Sequence, residues 1–302
     1  MDKKVVDIFI GISSAFGLTG LVVNLISIHI YNQKEFKTQP TTLYLIFSCI
    51  LNIIISFLLP PLVIPSIVSY GIISCKIYFT LSTILQIYKP WILVFCSIDR
   101  LLTVVVPYKF KLKNQLKFQL RAIILLLVIG FLLGLPIAFF YEPDISSYEN
   151  KTVGCPQESL LKYKWVKIYI EAFYQIIASA LPFIIMLVSS VVTAWKLYKN
   201  KSGLKSKLNR RDMRREIQYG VSLVTMDVSF LVLRFPLMAF LILADNPNHS
   251  IIYKIDYSIL VLVSGVHLFS PIFIFIFLNK IYRKYFLKLI RFKHFTNRVH
   301  PH

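Results

Sequence analysis

Asp99 and Arg100 stand side by side in CSIDRLLTVVVPYKF, at the end of a long apolar run. A carboxylate and a guanidinium can form a bidentate, charge-assisted pair. Either one alone in hydrocarbon costs several kcal/mol. Four more ionisable residues lie deep in apolar sequence: Lys89, Glu171, Asp227 and Arg234. Such residues are functional candidates because burying them is expensive. Asp227 and Arg234 are seven apart, two turns along one helical face, too far for a direct pair. The chemistry on offer is charge recognition rather than bond-making. The sequence has no HExxH metal cluster and no glycine-rich phosphate loop. Its six histidines are scattered, and His267 reads as a hydrogen-bonded packing residue. No enzyme, metal or cofactor is expected.

The elements that must position these charges are long and apolar. Of 302 residues, 56% are hydrophobic and 16% charged, and the mean hydropathy is +0.67. A soluble domain of this size carries more charge. A membrane span needs about 20 apolar residues, and seven segments qualify: about 7–31, 41–65, 74–106, 118–141, 165–197, 214–244 and 252–278. The fold class expected is all-α: a seven-helix transmembrane bundle forming one domain. Nothing near the start resembles a cleaved signal, so the first span is expected to direct its own insertion.

Basic residues orient the bundle. Segments after spans 1, 3, 5 and 7 carry 24 Lys and Arg against 4 acids (Glu35, Asp99, Asp212, Glu216), and the other side carries 8 of each. The positive-inside rule puts the basic side in the cytoplasm and the N-terminus outside. The net charge of +20 is then a skirt facing anionic headgroups and acidic partners. Nucleic acid is not the expected partner, since no soluble domain presents the charge. After span 7, residues 279–292 place Ile281, Tyr285, Leu289 and Phe292 at helical spacing among lysines and arginines. That is an amphipathic helix lying on the inner membrane surface.

Cys49 and Cys96 fall inside spans, where they read as small buried residues. Cys75 and Cys155 fall on the oxidising side, and this topology predicts a disulfide between them. Asn150-Lys151-Thr152 is a glycosylation acceptor on the same side. Asn248 is a less accessible second candidate, and the sequon at Asn200 faces the wrong side for use.

Taken in order, the spans resemble the rhodopsin-like (class A) G-protein-coupled receptors, in a divergent, peptide-receptor-like form. The residues that carry the likeness are Ser97-Ile98-Asp99-Arg100-Leu101 with Pro107 seven beyond the arginine, and Cys75 with Gly71 before it. Gly20 and Asn24-Leu25 in span 1, Pro182 in span 5, and Phe230 with Pro236 in span 6 also match. So do Pro271 in span 7, Phe277-Leu278-Asn279 and Tyr282-Arg283. The resemblance implies an activation switch built on Asp99, Arg100, Glu216, Pro236 and Pro271. Glu216, at the start of span 6, would latch Arg100 and hold spans 3 and 6 together. Opening the latch would release Arg100 to a heterotrimeric G protein. The plainer reading is that all three charges are wetted at the interface.

Departures from the pattern carry as much information. Asn52 replaces a usual aspartate, and Lys89 a usual serine, at positions that with Asn24 often hold sodium in relatives. Two readings stand. Either the Lys89 ammonium fills the ion's place beside a neutral Asn52, making the protein sodium-insensitive, or Lys89 snorkels or loses its proton. Arg234 replaces a tryptophan, Ser270 an asparagine, and Ser190 a tyrosine. Phe275 stands near the place of another tyrosine, and span 4 lacks its tryptophan.

The expected pocket has Arg234 at its floor and Glu171 at its outer wall. Gln86, Tyr174, Gln175, Met238, Tyr257 and Ser264 lie between, each equally suited to helix packing. Ser82 stands where amine receptors carry an aspartate, and Ser264 where opsins carry a lysine. Monoamines and retinal are therefore poor candidates. Two inner cations and several outer acids suit a short extracellular peptide. A small chemosensory ligand is the runner-up. A polytopic transporter or a signalling-dead homologue is the alternative from another class. Arrestin is a further expected partner, with Ser202, Ser206 and Thr296 as phosphorylation candidates.

Overall fold

A computed structural model describes residues 3–37, 39, 41–63, 72–105, 112–140, 176–199, 210–243 and 251–296. In hydrocarbon no water satisfies the backbone, so a spanning segment must satisfy it internally. The described chain answers with helices: α1 (Lys3–Tyr31), the short α2 (Lys34–Lys37), α3 (Thr42–Val63), α4 (Ile72–Val105) and α5 (Leu112–Phe140), then α6 (Leu181–Lys199), α7 (Arg210–Leu243), α8 (Ile251–Gly265), α9 (Ser270–Leu278) and α10 (Lys280–Thr296). Six helices are each long and apolar enough to cross a membrane, and a seventh span forms if the bent pair Asp256–Leu268 and Ser270–Leu278 counts as one. Spans 1 to 6 are thus α1, α3, α4, α5, α6 and α7, and span 7 is α8 with α9. The protein is an all-α, seven-span membrane bundle with a C-terminal amphipathic surface helix.

Burial confirms which solvent the bundle faces. Leu18, Phe57, Val232 and Phe277 are each about two-thirds or more exposed, while Asn24, Asn52, Asp227 and Lys89 are buried. Apolar side chains pointing out and polar ones pointing in is the arrangement lipid demands.

Two breaks in the helices have local causes. Span 7 bends by 41° where Val266–Leu268 forms a 3₁₀ turn before Ser270-Pro271. Proline has no N–H and its ring clashes with the preceding turn, so a helix kinks there. Span 5 begins with a π turn, Ile176–Ala180, just ahead of Pro182. A π turn pairs each carbonyl with the N–H five residues on. For Ile177 that residue is Pro182, which has none. Trp91 Nε1 of α4 donates to the Ile177 carbonyl instead, at 3.0 Å.

Small residues set how closely the helices approach. Without a hydrophobic drive between helices in lipid, close packing through glycine is the substitute. A Cβ at Gly17 would lie 2.6 Å from the Ser56 carbonyl oxygen, and one at Gly20 would lie 2.5 Å from Ser56 Oγ. Thus α1 and α3 meet backbone to backbone. On the other side, a Cβ at Gly130 of α5 would lie 1.9 Å from Cε1 at the edge of the Tyr88 ring, and one at Gly134 would strike Ile84. Tyr88 also donates from Oη to the Leu127 carbonyl at 2.6 Å, fixing α4 to α5.

At the basic end Asn279 closes span 7 and opens α10. Its Oδ1 accepts from the backbone N–H of Ile281 and Tyr282, at 3.1 and 3.0 Å. This is an N-cap, satisfying donors that the first turn leaves unpaired. Tyr282 turns inward, and its hydroxyl lies 2.8 Å from Ser27 Oγ. Tyr285 hydrogen-bonds Glu35 of α2, which raises the phenol's pKa.

The tight α4–α5 seam yields a prediction. Gly130→Ala should lower the melting temperature of the purified protein, at an overpacking cost of about 1–3 kcal/mol. Gly11→Ala, where a Cβ meets open space, should leave it unchanged or slightly raised. Thermal melts of the two variants check this.

Candidate functional site

Three polar layers lie along α4 and α7, one above another. The first is at the basic end. Arg100 is 3% exposed and its guanidinium lies over the Tyr219 ring, 5.6 Å from the centroid. A cation over an aromatic face is attracted by the ring quadrupole, more strongly where water is excluded. Tyr219 is held in turn: Thr41 Oγ1 donates to its hydroxyl at 2.9 Å, and its edge meets Phe275 at 6.0 Å. Phe275, Tyr31, Phe36 and Tyr282 continue this aromatic cluster across α1, α2, α9 and α10. Asp99, fully buried, accepts from Gln119 Nε2 of α5 at 2.8 Å. Glu216 is on α7, one turn before Tyr219, with its side chain outside the described residues.

The second layer sits about one turn further in along α4. Asp227 of α7 is buried, and its Oδ2 accepts from Ser97 Oγ of α4 at 2.8 Å and from Ser190 Oγ of α6 at 3.0 Å. Two hydroxyl donors on one carboxylate oxygen compensate part of its desolvation. They also join spans 3, 5 and 6 at a single atom.

The third layer surrounds a cavity of about 70 Å³ between spans 2, 3, 6 and 7. Its polar lining is Gln86, Lys89, Arg234, Tyr257, Ser264 and His267. Arg234 Nη2 donates to Gln86 Oε1 at 2.8 Å. Lys89 is 5% exposed, and its Nζ has no hydrogen-bond partner among the described residues. Pro90 follows Lys89 within α4, so the Gln86 carbonyl lacks its usual N–H partner. His267 lies in the 3₁₀ break, with Nδ1 against the Ser264 carbonyl and its ring edge-on to Phe230. Ser264 Oγ itself donates to the Val261 carbonyl at 2.8 Å.

Beside the cavity, Asn24 ties three spans together. Its Nδ2 reaches the carbonyls of Gly20 and Leu268, at 2.7 and 2.8 Å, and its Oδ1 accepts from Asn52 Nδ2 at 3.0 Å. The Leu268 carbonyl lies in the span 7 break, where its helical partner is lost, so Asn24 supplies a replacement. One of the two readings of Lys89 puts it beside a neutral Asn52. Asn52 Oδ1 is buried without a partner, as Lys89 Nζ is, so the two do not bond. Asn52 turns to Asn24 because the broken helix has already drawn Asn24 into place.

Of the expected pocket residues, Gln86, Arg234, Tyr257 and Ser264 line this one cavity, joined by Lys89. Met238 lies on α7 with its side chain outside the described residues, and Cys75 lies likewise on α4. Glu171, Tyr174, Gln175, Cys155 and Asn150 lie outside the described residues altogether. Pro236 lies inside α7, and Pro271 at the start of α9. Sequence reasoning missed Tyr219, Gln119, Ser97 and His267 as site members. Tyr219 alone had a usable signal, lying three residues after Glu216 and hence on the same helical face.

The model of the 7 transmembrane receptor (rhodopsin family) matches residues 21–282. The chain belongs to this family. No curated protein matches it. The match runs from the turn containing Asn24 to Tyr282, and so embraces all three layers of the receptor.

The shared carboxylate oxygen gives the receptor a measurable coupling. Ser97→Ala or Ser190→Ala alone should each cost about 1 kcal/mol of stability. The double variant should cost more than the two added together, because the Asp227 oxygen then loses both donors. A double-mutant cycle read by thermal melting tests this; strict additivity would show that the two serines act independently.

Proposed function

We propose that the receptor sits in the plasma membrane with its N-terminus outside, binds a short extracellular peptide, and activates a heterotrimeric G protein. The observation that carries this reading is Arg100, buried at the basic end beneath Tyr219 and beside an Asp99 held by Gln119. A buried guanidinium at the end of the bundle that faces a basic skirt is a charge in store. Swinging α7 outward would remove Tyr219 and expose it to a partner. Glu216, one turn away, would strengthen the closed state by pairing with Arg100. The 24 basic residues on that side support its facing the cytoplasm, since basic loops resist translocation.

In that orientation Cys75 and Cys155 lie outside and would form a disulfide across the mouth, with Asn150 as the glycosylation site. Ser202 and Ser206 would offer arrestin its phosphorylated contacts. A peptide suits the pocket because acids surround the mouth in sequence while Lys89 and Arg234 wait inside. No catalytic role is proposed for any residue.

The test measures basal nucleotide exchange on G proteins at matched surface expression, without any ligand. Glu216→Ala should raise it about two- to fivefold, the shift that an ion pair of roughly 0.5–1 kcal/mol supports. Adding Arg100→Ala should abolish the rise. If neither variant departs from wild type, the latch is wrong. Anion or substrate flux in proteoliposomes carrying wild-type protein would turn the reading toward transport.

A further inference from the structure

The outward side of α6 ends in a charged cluster that the three layers leave unused. Burial settles which side this is. Met186, Ser189, Ser190 and Thr193 are buried, while Ile184, Val188, Val191 and Trp195 are each more than half exposed. In a membrane bundle such an exposed apolar face is a face for lipid. Ile184 and Trp195 are eleven residues apart, about 16 Å along the helix, or about half the hydrocarbon thickness of a bilayer. The exposed column is therefore one leaflet deep. Spans 3 and 5 run in the same direction, so Trp195 closes the column at the basic end that also holds Arg100.

At that depth the indole gathers two cations. The Lys196 ammonium lies 5.6 Å from its ring centroid and the Lys199 ammonium 5.1 Å. The ring quadrupole attracts both, and so restrains two long side chains that otherwise keep much of their rotamer freedom. A ligand that binds there has less ordering left to do. From Leu181 to Arg211 the sequence carries seven basic residues and no acid, so the field over this helix end is positive.

We propose that Trp195, Lys196 and Lys199 form a binding site for one anionic phospholipid of the inner leaflet. Its phosphate sits against the two ammoniums, and an acyl chain lies along Ile184, Val188 and Val191. An ammonium carries three donors, and one resting against a ring points some of them away from it. Charge-assisted bonds to phosphate are among the strongest open to them. Tryptophan belongs at headgroup level, with its apolar body in the chains and its N–H toward water. A zwitterionic lipid brings a cation of its own to the two lysines, and a lipid with net negative charge does not. The leaflet rests on the orientation proposed above. The lipid class rests on this cluster and needs no receptor signalling.

The experiment is tryptophan quenching of the full-length protein in nanodiscs of phosphatidylcholine with a fixed fraction of phosphatidylserine. Bromine is placed on the acyl chains of one lipid or the other, since bromine quenches an indole only at contact. Subtracting Trp195→Phe isolates Trp195 from Trp91 and Trp165. Per lipid molecule, the brominated serine lipid should quench Trp195 about five- to thirtyfold more readily than the brominated choline lipid, the preference that one or two lysines supply near a membrane surface. Lys196→Gln with Lys199→Gln should remove most of that preference, and arginine at both positions should keep it. Lys284→Gln with Lys288→Gln on α10 should leave it unchanged, which separates a local site from the general attraction of the basic skirt. Equal quenching by the two lipids overturns the proposal. So does a preference that survives the α6 glutamine pair undiminished, or one that falls as far with the α10 pair. Should the α6 pair fail to fold, Lys196→Gln alone takes its place and should lower the preference. Both leaflets of a nanodisc have one composition and no G protein is present, so failure here leaves the orientation and the receptor reading standing.

Discussion

A carbonyl or carboxylate in hydrocarbon has no water to turn to, and an unsatisfied one costs several kcal/mol. Two local breaks in this bundle are repaired from a neighbouring helix. The kink in span 7 frees the Leu268 carbonyl, and Asn24 of span 1 repairs it. The π turn in span 5 leaves Ile177 facing a proline, and Trp91 of span 3 repairs that. These repairs are also tertiary contacts. The prolines thus do more than bend single helices: they create the polar sockets by which spans hold each other's rotation and depth.

The same logic explains which parts of the structure could be read from sequence. Length and hydropathy specify seven spans because the bilayer sets a single required length. The surface helix is legible because its polar and apolar faces alternate at helical spacing, and Asn279 caps it visibly. Helix rotation is far less legible. A membrane span is apolar nearly all round, so the inward face must be inferred from the rare polar groups. That works for Lys89 and Asp227, whose burial is too costly to be accidental, and for Arg234, which lines the cavity. It fails for Ser97 and Gln119, because hydroxyls and amides are common in such helices and can satisfy themselves on their own backbone, as Ser27 does by donating to Val23. The pairing of Asn52 with Asn24 rather than Lys89 depends on where the span 7 break falls, a tertiary fact with no local signature.

Layering also gives the substitutions in this receptor a common sense. Ser190 stands where relatives carry a tyrosine, and it serves the Asp227 carboxylate. Arg234 stands where they carry a tryptophan, and it faces the cavity with its fork on Gln86. Phe275 stands near another missing tyrosine and packs edge-on against Tyr219. The familiar tryptophan of span 6 and serine of span 3 have been replaced by Arg234, which bonds Gln86, and by the buried Lys89. Between the charged layers lie apolar side chains such as Ile92, Leu93, Met226 and Phe230. They fill the space between the layers with dry packing.

A link between the layers nevertheless runs through α7. Tyr219, Asp227 and Arg234 occupy one helix, at steps of eight and seven residues, or about 12 and 10 Å along its axis. A helix transmits rotation with little loss, so turning Asp227 against its two serines must also turn Tyr219 against Arg100. Pro236 lies two residues beyond Arg234. It leaves the Val232 carbonyl, one turn back, without its usual N–H partner, so the weak point of the helix falls between Arg234 and Asp227. A bend there would swing the basic end as one body, with the Asp227 bonds and the Tyr219 roof as the two contacts resisting the motion. Arg100 is therefore linked to the Asp227 layer by the stiffness of one helix, and to the cavity only through the turn that Pro236 weakens.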